Sequence, residues 1–259
     1  MIEAAVLERF NNNLKVIKNI KIPKLNPRQV LVKIKYTAIC GSQIHEIKGD
    51  RNTKKYLPHM LGHEATGEVI DIGRNVNSFR KKDKVILSWI GTDNKPSKKP
   101  VYFYPNKKKK INSGLISTFS NFTVVSQNKI LKLPSKLNFE KGTLLGCAFP
   151  TGSGMILNQT KIQKKTKLLI CGLGGVGLSA LISALYKKSS NIYVLDKNKS
   201  RLNKITKFFK KKFGSNIKNL NIQSLSKYHN FFDYIIECTG NAVSIQNSLN
   251  FINNNGKVI

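Results

Sequence analysis

A glycine-rich segment at residues 168–196 constrains the fold of this chain more than any other part of the sequence. Two short apolar runs, at residues 168–171 and 192–195, lie on either side of a glycine cluster and an apolar stretch that suits a buried helix. This order predicts a strand, a tight turn, a helix and a second strand, which is the repeating unit of a parallel α/β sheet. The glycines of the turn are Gly172, Gly174, Gly175 and Gly177.

Three of these glycines have separate physical roles. Gly172 permits the tight bend, Gly174 lets a phosphate approach the bare backbone, and Gly177 lets the helix lie close to the strand. The first amides of a helix have no partners within the helix, so they face an anion placed at its N-terminus. The turn therefore predicts a site for the pyrophosphate of a dinucleotide.

An acidic residue follows the second predicted strand. Asp196 lies 19 residues after Gly177, where a carboxylate accepts hydrogen bonds from the adenosine ribose of NAD. A 2′-phosphate would be repelled by this carboxylate, so we expect NAD in preference to NADP. Lys197 and Arg201 lie close to Asp196 in the sequence, and their positive charges are expected to reduce the preference for NAD. Arg201 is included in the predicted cofactor site.

The composition is strongly basic, with a formal net charge of +32 and a pI near 10.1. The lysines are spread along the whole chain, and the local runs at residues 107–110 and 210–212 are not interleaved with aromatic residues. Solvated lysines therefore explain the charge better than a nucleic-acid site does. We find no membrane-length apolar run and no signal peptide at the N-terminus, and we expect a cytoplasmic location.

The chain is expected to contain two domains of different character. Short alternating runs separated by turns predict mainly β structure up to about residue 145, followed by α/β structure. Residues 91–114 are polar, rich in lysine and interrupted by prolines, which predicts an exposed loop. We place a first domain at residues 1–154 and a second at residues 155–259.

Two cysteines and a histidine in the first part of the chain are candidate zinc ligands. Cys40, His63 and Cys147 would supply two thiolates and an imidazole, and would leave a fourth tetrahedral position open. The spacing of the three residues does not establish the site. On spacing alone, each cysteine is better explained as a small buried hydrophobe, and the histidine as a satisfied polar group.

Four motifs around these residues resemble those of the medium-chain, zinc-dependent alcohol dehydrogenase family, in the same order. They are Cys-Gly-Ser-x-x-His at Cys40, Gly-His-Glu-x-x-Gly at Gly62, Gly-Cys-x-x-x-Thr-Gly at Gly146 and Gly-Leu-Gly-Gly-Val-Gly at Gly172. The resemblance implies an α/β chain with a GroES-like, mainly-β catalytic domain followed by a partial Rossmann domain, a doubly wound parallel sheet. It also implies an active site in the cleft between the two domains.

The resemblance assigns roles at matching positions. It implies that Cys40, His63 and Cys147 bind one catalytic zinc, with Glu64 just behind it. Zinc would act as a Lewis acid on the alcohol oxygen. Ser42 would hydrogen-bond the substrate and His45 would pass the proton to solvent. Further residues are expected beside the cofactor: Thr151, Thr239 and Gly240. His59 and His229 match no motif and are expected to be structural or surface residues.

Three features depart from the family pattern. Gln43 stands where the family usually has Asp, and we expect its oxygen to accept a hydrogen bond from His63, which would weaken or retune catalysis. The loop at residues 91–114 contains no cysteine, so we expect no structural zinc and at most one zinc per chain. The sequence stops where the family continues, and we expect a C-terminally incomplete dehydrogenase.

These observations leave two main functional hypotheses. The first is a zinc-dependent dehydrogenase that transfers hydride between an alcohol or polyol and NAD, with small-molecule substrates and a homo-oligomeric full-length form. The second is a catalytically weak or inactive remnant that keeps the fold and dinucleotide binding. A nucleic-acid-binding protein is a third hypothesis, motivated by the charge alone. Specific binding to nucleic acid or to a membrane is not expected.

Overall fold

The computed structural model describes residues 1–50, 53–93 and 98–259, and within these it contains fifteen strands and six helices. The strands are β1 Ile2–Leu7, β2 Lys15–Ile20, β3 Gln29–Thr37, β4 His59–Met60, β5 Glu64–Ile72, β6 Lys84–Ser88, β7 Tyr102–Phe103, β8 Lys110–Ile111, β9 Phe122–Ser126, β10 Ile130–Lys132, β11 Lys167–Cys171, β12 Asn191–Leu195, β13 Ile217–Asn219, β14 Phe232–Glu237 and β15 Ile252–Val258. The helices are α1 Gly41–Lys48, α2 Phe139–Thr143, α3 Ala148–Gln159, α4 Gly175–Tyr186, α5 Lys199–Phe213 and α6 Ala242–Ser248.

The chain divides into two compact units, Met1–Cys147 and Ala148–Ile259. The first is mainly β and the second alternates strands with helices, so the predicted α/β fold class is confirmed. No helix in the described ranges combines the length and the apolar character that crossing a membrane requires.

The first unit is built on a five-stranded antiparallel sheet with the order β10-β6-β5-β3-β9. A three-stranded sheet, β2-β1-β4, lies in the same unit. Apolar residues from several strands form the core of the large sheet, because their side chains point to its covered face. This core includes Val30, Val32, Ala65, Val69, Val85, Leu87, Val125 and Ile130.

The predicted exposed loop at residues 91–114 is wrong over part of its length. Tyr102 and Ile111 face each other in the hairpin β7–β8 and are 0% and 1% exposed. They pack with Ile2 and Met60 in a separate apolar cluster, and the Tyr102 hydroxyl accepts a hydrogen bond from the backbone N–H of Val124 at 3.0 Å. Burial of these apolar side chains outweighs the polarity of the neighbouring lysines. Residues 94–97 of this loop lie outside the described residues.

The second unit is a parallel sheet with the order β13-β12-β11-β14-β15. In sequence order this is 3-2-1-4-5, so the strand order reverses beside β11, where ligands bind in doubly wound sheets. Four consecutive residues of β11 are buried, as expected of a central parallel strand covered on both faces. The glycine turn directly follows β11, and the predicted strand, turn, helix and strand are all observed.

Candidate metal and dinucleotide sites

Four residues of the first unit converge on one point. The ligand atoms of Cys40, His63, Glu64 and Cys147 all lie within 4.8 Å of one another. Cys40 is the residue before α1, His63 and Glu64 lie at the start of β5, and Cys147 follows α2. The family resemblance implied these four residues as a group, and the structure brings them together.

Local contacts in the first unit bring the chain segments of this cluster close to one another. The Thr37 hydroxyl donates to the carbonyl of Glu64 at 2.9 Å, which ties the end of β3 to the start of β5. Ser88 donates to the carbonyl of Gly146 at 2.7 Å. A Cβ at Gly146 would lie 2.6 Å from the Cβ of Glu64, so glycine is required for Cys147 to approach the cluster.

The two thiols of the cluster are in contact and shift each other's pKa in opposite directions. Sγ of Cys40 lies 3.9 Å from Sγ of Cys147, and this contact lowers the pKa of Cys40 far below its ordinary value. The Cys40 thiolate in turn raises the pKa of the Cys147 thiol, and burial acts in the same direction. The lowered pKa favours the thiolate of Cys40, which is the form that binds a metal ion.

The imidazole of His63 completes a donor set that suits zinc. Its Nε2 atom is buried and has no hydrogen-bond partner among the described residues. A buried nitrogen without a partner costs free energy unless a ligand occupies it. Two sulfurs and one imidazole nitrogen match the ligands of catalytic zinc sites.

The contact between Gln43 and His63 differs from the predicted one. We expected the Gln43 oxygen to accept from His63, but Oε1 instead accepts the backbone N–H of Gly62 at 2.6 Å. The amide nitrogen Nε2 lies 2.8 Å from Nδ1 of His63. Because the amide nitrogen can only donate, Nδ1 is the acceptor in this contact.

The predicted proton-transfer residues lie on α1. Ser42 and His45 are three residues apart in this helix, so both are on one face. The Ser42 hydroxyl is buried beside the Cys40 sulfur and contributes to the lowered pKa of that thiol. His45 is exposed, and its Nδ1 lies 2.8 Å from a carboxylate oxygen of Asp50, a partner that the sequence reasoning did not identify.

The glycine turn in the second unit has the predicted geometry. Gly172 has a φ of +85°, a conformation that side chains rarely adopt. A Cβ at Gly177 would lie 1.8 Å from the carbonyl oxygen of Gly172, whereas a Cβ at Gly174 would meet no atom of the described chain within 4 Å. Gly174 precedes α4, which begins at Gly175, so bare backbone and open space occur together at a helix N-terminus.

Asp196 connects the end of β12 to this turn. Its Oδ2 accepts the backbone N–H of Leu173 at 2.7 Å, and its Oδ1 accepts the N–H of Asn198 at 2.7 Å. The guanidinium of Arg201 lies 3.4 Å from Oδ2. A carboxylate has about four acceptor sites, so this one retains capacity for ribose hydroxyls.

The remaining predicted cofactor residues also lie in the second unit. The carboxylate of Glu237 accepts hydrogen bonds from the Thr239 hydroxyl at 2.5 Å and from the Gly240 N–H at 3.3 Å, and so fixes the turn after β14. Thr151 lies in α3, next to Gly152. A Cβ at Gly152 would lie 2.0 Å from the carbonyl of Val176, which shows how closely α3 packs against α4.

A cavity of about 640 Å³ opens beside Asp196. Most of its lining was missed by the sequence reasoning, although the rule that ligands bind beyond the carboxyl ends of parallel strands would have pointed to the segment after β13. The lining residues are Leu195, Asp196, Lys197, Lys199, Leu202, Asn203, Asn219, Leu220, Asn221, Ile222 and Gln223.

The two histidines outside the motifs have local contacts. Nδ1 of His59 lies 3.4 Å from a carboxylate oxygen of Glu46, and burial lowers the pKa of His59 despite this negative neighbour. The ring of His229 lies 5.7 Å from that of Phe251. Neither histidine belongs to the cluster at Cys40.

Comparison with known proteins connects these features to a family. Residues 26–135 match the alcohol dehydrogenase GroES-like domain. An S-(hydroxymethyl)glutathione dehydrogenase from Photobacterium damsela subsp. piscicida is 31% identical over 196 residues, covering 67% of this chain and 53% of the relative. An alcohol dehydrogenase class-3 from Caenorhabditis elegans is 26% identical over 269 residues, covering 90% of this chain and 68% of the relative. This chain thus spans about half of the length of the first relative and two thirds of the second.

Solved structures share the fold. An alcohol dehydrogenase zinc-binding domain protein from Burkholderia ambifaria has a TM-score of 0.86 at 19% identity, covering 99% of this chain and 75% of its own. A benzyl alcohol dehydrogenase from Acinetobacter calcoaceticus has a TM-score of 0.83 at 22% identity, with the same two coverages. The likeness in sequence and the likeness in fold agree with the four motifs: residues 26–135 belong to the alcohol dehydrogenase GroES-like domain family, and the chain shares the fold of these solved structures.

Proposed function

We propose that this chain is part of a zinc- and NAD-dependent oxidoreductase that transfers hydride between an alcohol and the nicotinamide ring. The observation that carries the proposal is the convergence of Cys40, His63, Glu64 and Cys147 within 4.8 Å. We propose one catalytic zinc per chain and no structural zinc. A bound zinc supplies Lewis-acid polarisation of the substrate oxygen.

The protein's contribution to the metal site is its donor set. Cys40 and Cys147 would bind through sulfur and His63 through Nε2, the nitrogen that has no hydrogen-bond partner within the described chain. The lowered pKa of Cys40 favours the thiolate that a metal ion needs as a ligand. Glu64 adds a buried carboxylate beside these three ligands.

Two side chains on α1 supply a route for the proton. The Ser42 hydroxyl is buried beside the Cys40 sulfur, and a hydroxyl can both donate to and accept from a substrate oxygen. His45 reaches solvent, and Asp50 holds its Nδ1, so Nε2 is the nitrogen that would exchange a proton. These positions support the roles that the family resemblance implies.

The glycine turn would bind the dinucleotide. The open space at Gly174 and the first amides of α4 suit the pyrophosphate, and Asp196 suits the ribose hydroxyls. The nicotinamide supplies a hydride acceptor, and we propose Thr151, Thr239 and Gly240 as residues beside the cofactor. The Asp196 charge favours NAD over NADP, although Arg201 is close enough to meet a 2′-phosphate.

The substrate class is proposed from the relatives. The relatives and structural neighbours include an S-(hydroxymethyl)glutathione dehydrogenase and a benzyl alcohol dehydrogenase. We propose a small-molecule primary or secondary alcohol, or the matching aldehyde or ketone. A homo-oligomeric full-length form, a cytoplasmic location and the absence of specific nucleic-acid or membrane binding stay predictions from the sequence.

The experiment combines metal content with turnover. Purified protein is analysed for zinc, and NADH formation is followed with a panel of alcohols. We expect close to one zinc per chain, and we expect Cys147→Ser to lose both zinc and NADH formation. Cys238→Ser is the matched control for metal content, because Cys238 lies outside the cluster. Zinc content that is the same in both variants would contradict the proposed site.

One observation favours a second candidate function, a chain that binds dinucleotide with little or no turnover. The donor nitrogen of Gln43 faces Nδ1 of His63, a contact that opposes metal binding. Dinucleotide binding without alcohol-dependent NADH formation, in protein supplied with zinc, would favour this alternative over the first.

A further inference from the structure

Gln43 lies between two hydrogen-bonding groups and offers one acceptor to them. Its Oε1 accepts the N–H of Gly62 at 2.6 Å, and its Nε2 lies 2.8 Å from Nδ1 of His63. The side chain is 7% exposed, so water does not readily replace either contact. A glutamine amide has an oxygen that accepts and a nitrogen that donates, and the two ends are not interchangeable here.

The backbone at Gly62 decides which way this amide faces. Gly62 has a φ of +90°, and a Cβ there would lie 2.4 Å from the Thr118 hydroxyl oxygen, so the backbone has little freedom to turn. Its carbonyl accepts from the Thr118 N–H at 3.2 Å. The Gly62 N–H is therefore a fixed donor, and the group that faces it must be the glutamine oxygen.

This orientation sets the tautomer of His63. With Oε1 held at Gly62, the amide nitrogen of Gln43 donates to Nδ1 of His63. A neutral imidazole that accepts at Nδ1 carries its proton on Nε2. Nε2 is also the buried nitrogen that makes no hydrogen bond to the described chain, and thus the nitrogen left for a metal ion.

We propose that Gln43 is a positioning residue that holds His63 in the tautomer unable to bind a metal ion, and so weakens the affinity of the cluster. The proposal rests on the metal-binding role of His63 proposed above. Binding at Nε2 needs the lone pair there, so the ring proton leaves Nε2 and a proton is taken up at Nδ1, with no net change on the ring. Two donors, Nδ1–H and the Gly62 N–H, then face the two ends of the Gln43 amide, and in either orientation of the amide one of them meets its nitrogen, which cannot accept.

The variant Gln43→Glu tests this directly, because glutamate has the same side-chain shape as glutamine and supplies two acceptor oxygens. One oxygen accepts from Gly62 and the other from Nδ1–H of His63. We expect the affinity for Zn²⁺, measured on the full chain by competition with a chelator, to rise about 10- to 100-fold. Equal affinity of the two proteins would overturn the proposal.

A matched control separates this effect from a simple gain of negative charge. Gln29 is also buried in the first unit, and its amide likewise bridges two backbone groups, accepting from the N–H of Asn26 and donating to the carbonyl of Lys98. Gln29→Glu should leave the Zn²⁺ affinity unchanged. An equal rise in both variants would mean that charge, and not the His63 tautomer, is the cause.

A second readout uses the metal-free wild-type protein and tests the proposal even if Gln43→Glu does not fold. The ring ¹⁵N chemical shifts of the four histidines report which nitrogen of each carries the proton. We expect the His63 proton on Nε2 in the wild type and on Nδ1 in Gln43→Glu, with His63→Gln identifying the signal. A wild-type proton on Nδ1 would overturn the proposal.

The outcomes also separate this inference from the proposed function. If neither the wild type nor Gln43→Glu binds Zn²⁺, the metal assignment and the inference both fail. If both bind with the same affinity, the metal assignment stands and the role of Gln43 fails. Thermal unfolding of each variant establishes that the proteins compared are folded.

Discussion

The carboxylate of Asp196 accepts a hydrogen bond from the backbone N–H of Leu173 at 2.7 Å. These residues follow the ends of β12 and β11, two neighbouring parallel strands, so one side chain fixes the glycine turn to the end of the next strand. The residue expected to contact the cofactor ribose therefore also shapes the turn expected to contact the pyrophosphate. Replacement of Asp196 should affect both functions.

We predict that Asp196→Asn changes the preference between NAD and NADP. The amide keeps an oxygen for the Leu173 N–H but removes the charge that repels a 2′-phosphate, and Arg201 becomes free to bind that phosphate. We expect NAD to bind roughly 10-fold more weakly, which corresponds to about 1.4 kcal/mol, and NADP to bind more tightly. Fluorescence titration with both cofactors measures the change.

Two further variants check this reasoning. Asp233→Asn is the matched control, because Asp233 also accepts a backbone N–H, from Lys167 at 2.7 Å, at the opposite end of the same sheet. It should leave the cofactor preference unchanged. Adding Arg201→Ala to Asp196→Asn should cancel the gain for NADP, and a gain that persists would show that Arg201 does not bind the phosphate.

The glycine turn should respond very differently to alanine at two of its positions. At Gly177 the new Cβ would lie 1.8 Å from the carbonyl of Gly172, so the turn must move, and we expect a loss of about 3 kcal/mol or more in unfolding free energy. At Gly174 the Cβ meets no described atom within 4 Å, so stability should change by less than about 0.5 kcal/mol.

Dinucleotide binding distinguishes these two glycines further. Gly174→Ala should fold normally yet bind NAD more weakly, because its Cβ occupies the space through which a phosphate reaches the backbone. Denaturant unfolding and NAD titration of the same samples measure both quantities. A Gly174→Ala protein with unchanged NAD affinity would mean that the pyrophosphate does not bind at this turn.

The sequence predicted the parts of the molecule that backbone geometry determines. The bend at Gly172 and the close approach at Gly177 leave glycine as the compatible residue, so the motif identifies the turn. The strand before the turn was also predictable, because β11 is almost entirely a continuous apolar run. The convergence of Cys40 and Cys147 came from the family resemblance, since their separation in the sequence carries no information about distance in space.

Other features depend on contacts that sequence patterns do not encode. The hairpin at Tyr102 could not be predicted from the sequence, because lysines and prolines surround it and the pairing with Ile111 spans a polar turn. The orientation of the Gln43 amide depends on where the Gly62 N–H points, and the residue type alone gives both an acceptor and a donor. Each of these required the three-dimensional positions of the partner groups.

The stability of the first unit should fall at acidic pH through His59. Burial lowers the pKa of His59 in the folded state below the ordinary value of about 6.5, although the Glu46 carboxylate acts in the opposite direction. Below that ordinary value the unfolded chain takes up a proton that the folded chain does not, so unfolding is favoured as the pH falls. The slope is at most about 1.4 kcal/mol per pH unit.

Two variants measure the contribution of His59. In His59→Gln the unfolding free energy should depend less on pH. The difference from the wild type should appear below about pH 6.5, the ordinary pKa of histidine. Glu46→Gln removes the carboxylate that raises the pKa of His59, and it should steepen the loss. A pH dependence that is the same in the wild type and in His59→Gln would exclude this residue as its source.

Cys40 should be the most reactive thiol of the metal-free protein. The contact with Cys147 lowers the pKa of Cys40, whereas burial raises the pKa of both Cys171 and Cys238 to about 12. Because the thiolate is the nucleophile, the rate of alkylation by iodoacetamide should stay nearly constant as the pH falls from 8 towards 5. Peptide mapping of the alkylated protein assigns the rate to the individual cysteines.

Removing the Cys147 thiol tests the cause of the expected Cys40 reactivity. Cys147→Ala takes away the thiol that stabilises the Cys40 thiolate, so the pKa of Cys40 should rise and its alkylation should become slower at acidic pH. Cys238→Ala is the control, because Cys238 lies outside the cluster and should not alter the pH profile of Cys40. Added Zn²⁺ should protect Cys40 in the wild type, since a thiolate bound to a metal ion is a poor nucleophile. Rapid alkylation that continues unchanged in the presence of Zn²⁺ would show that Cys40 is not a ligand.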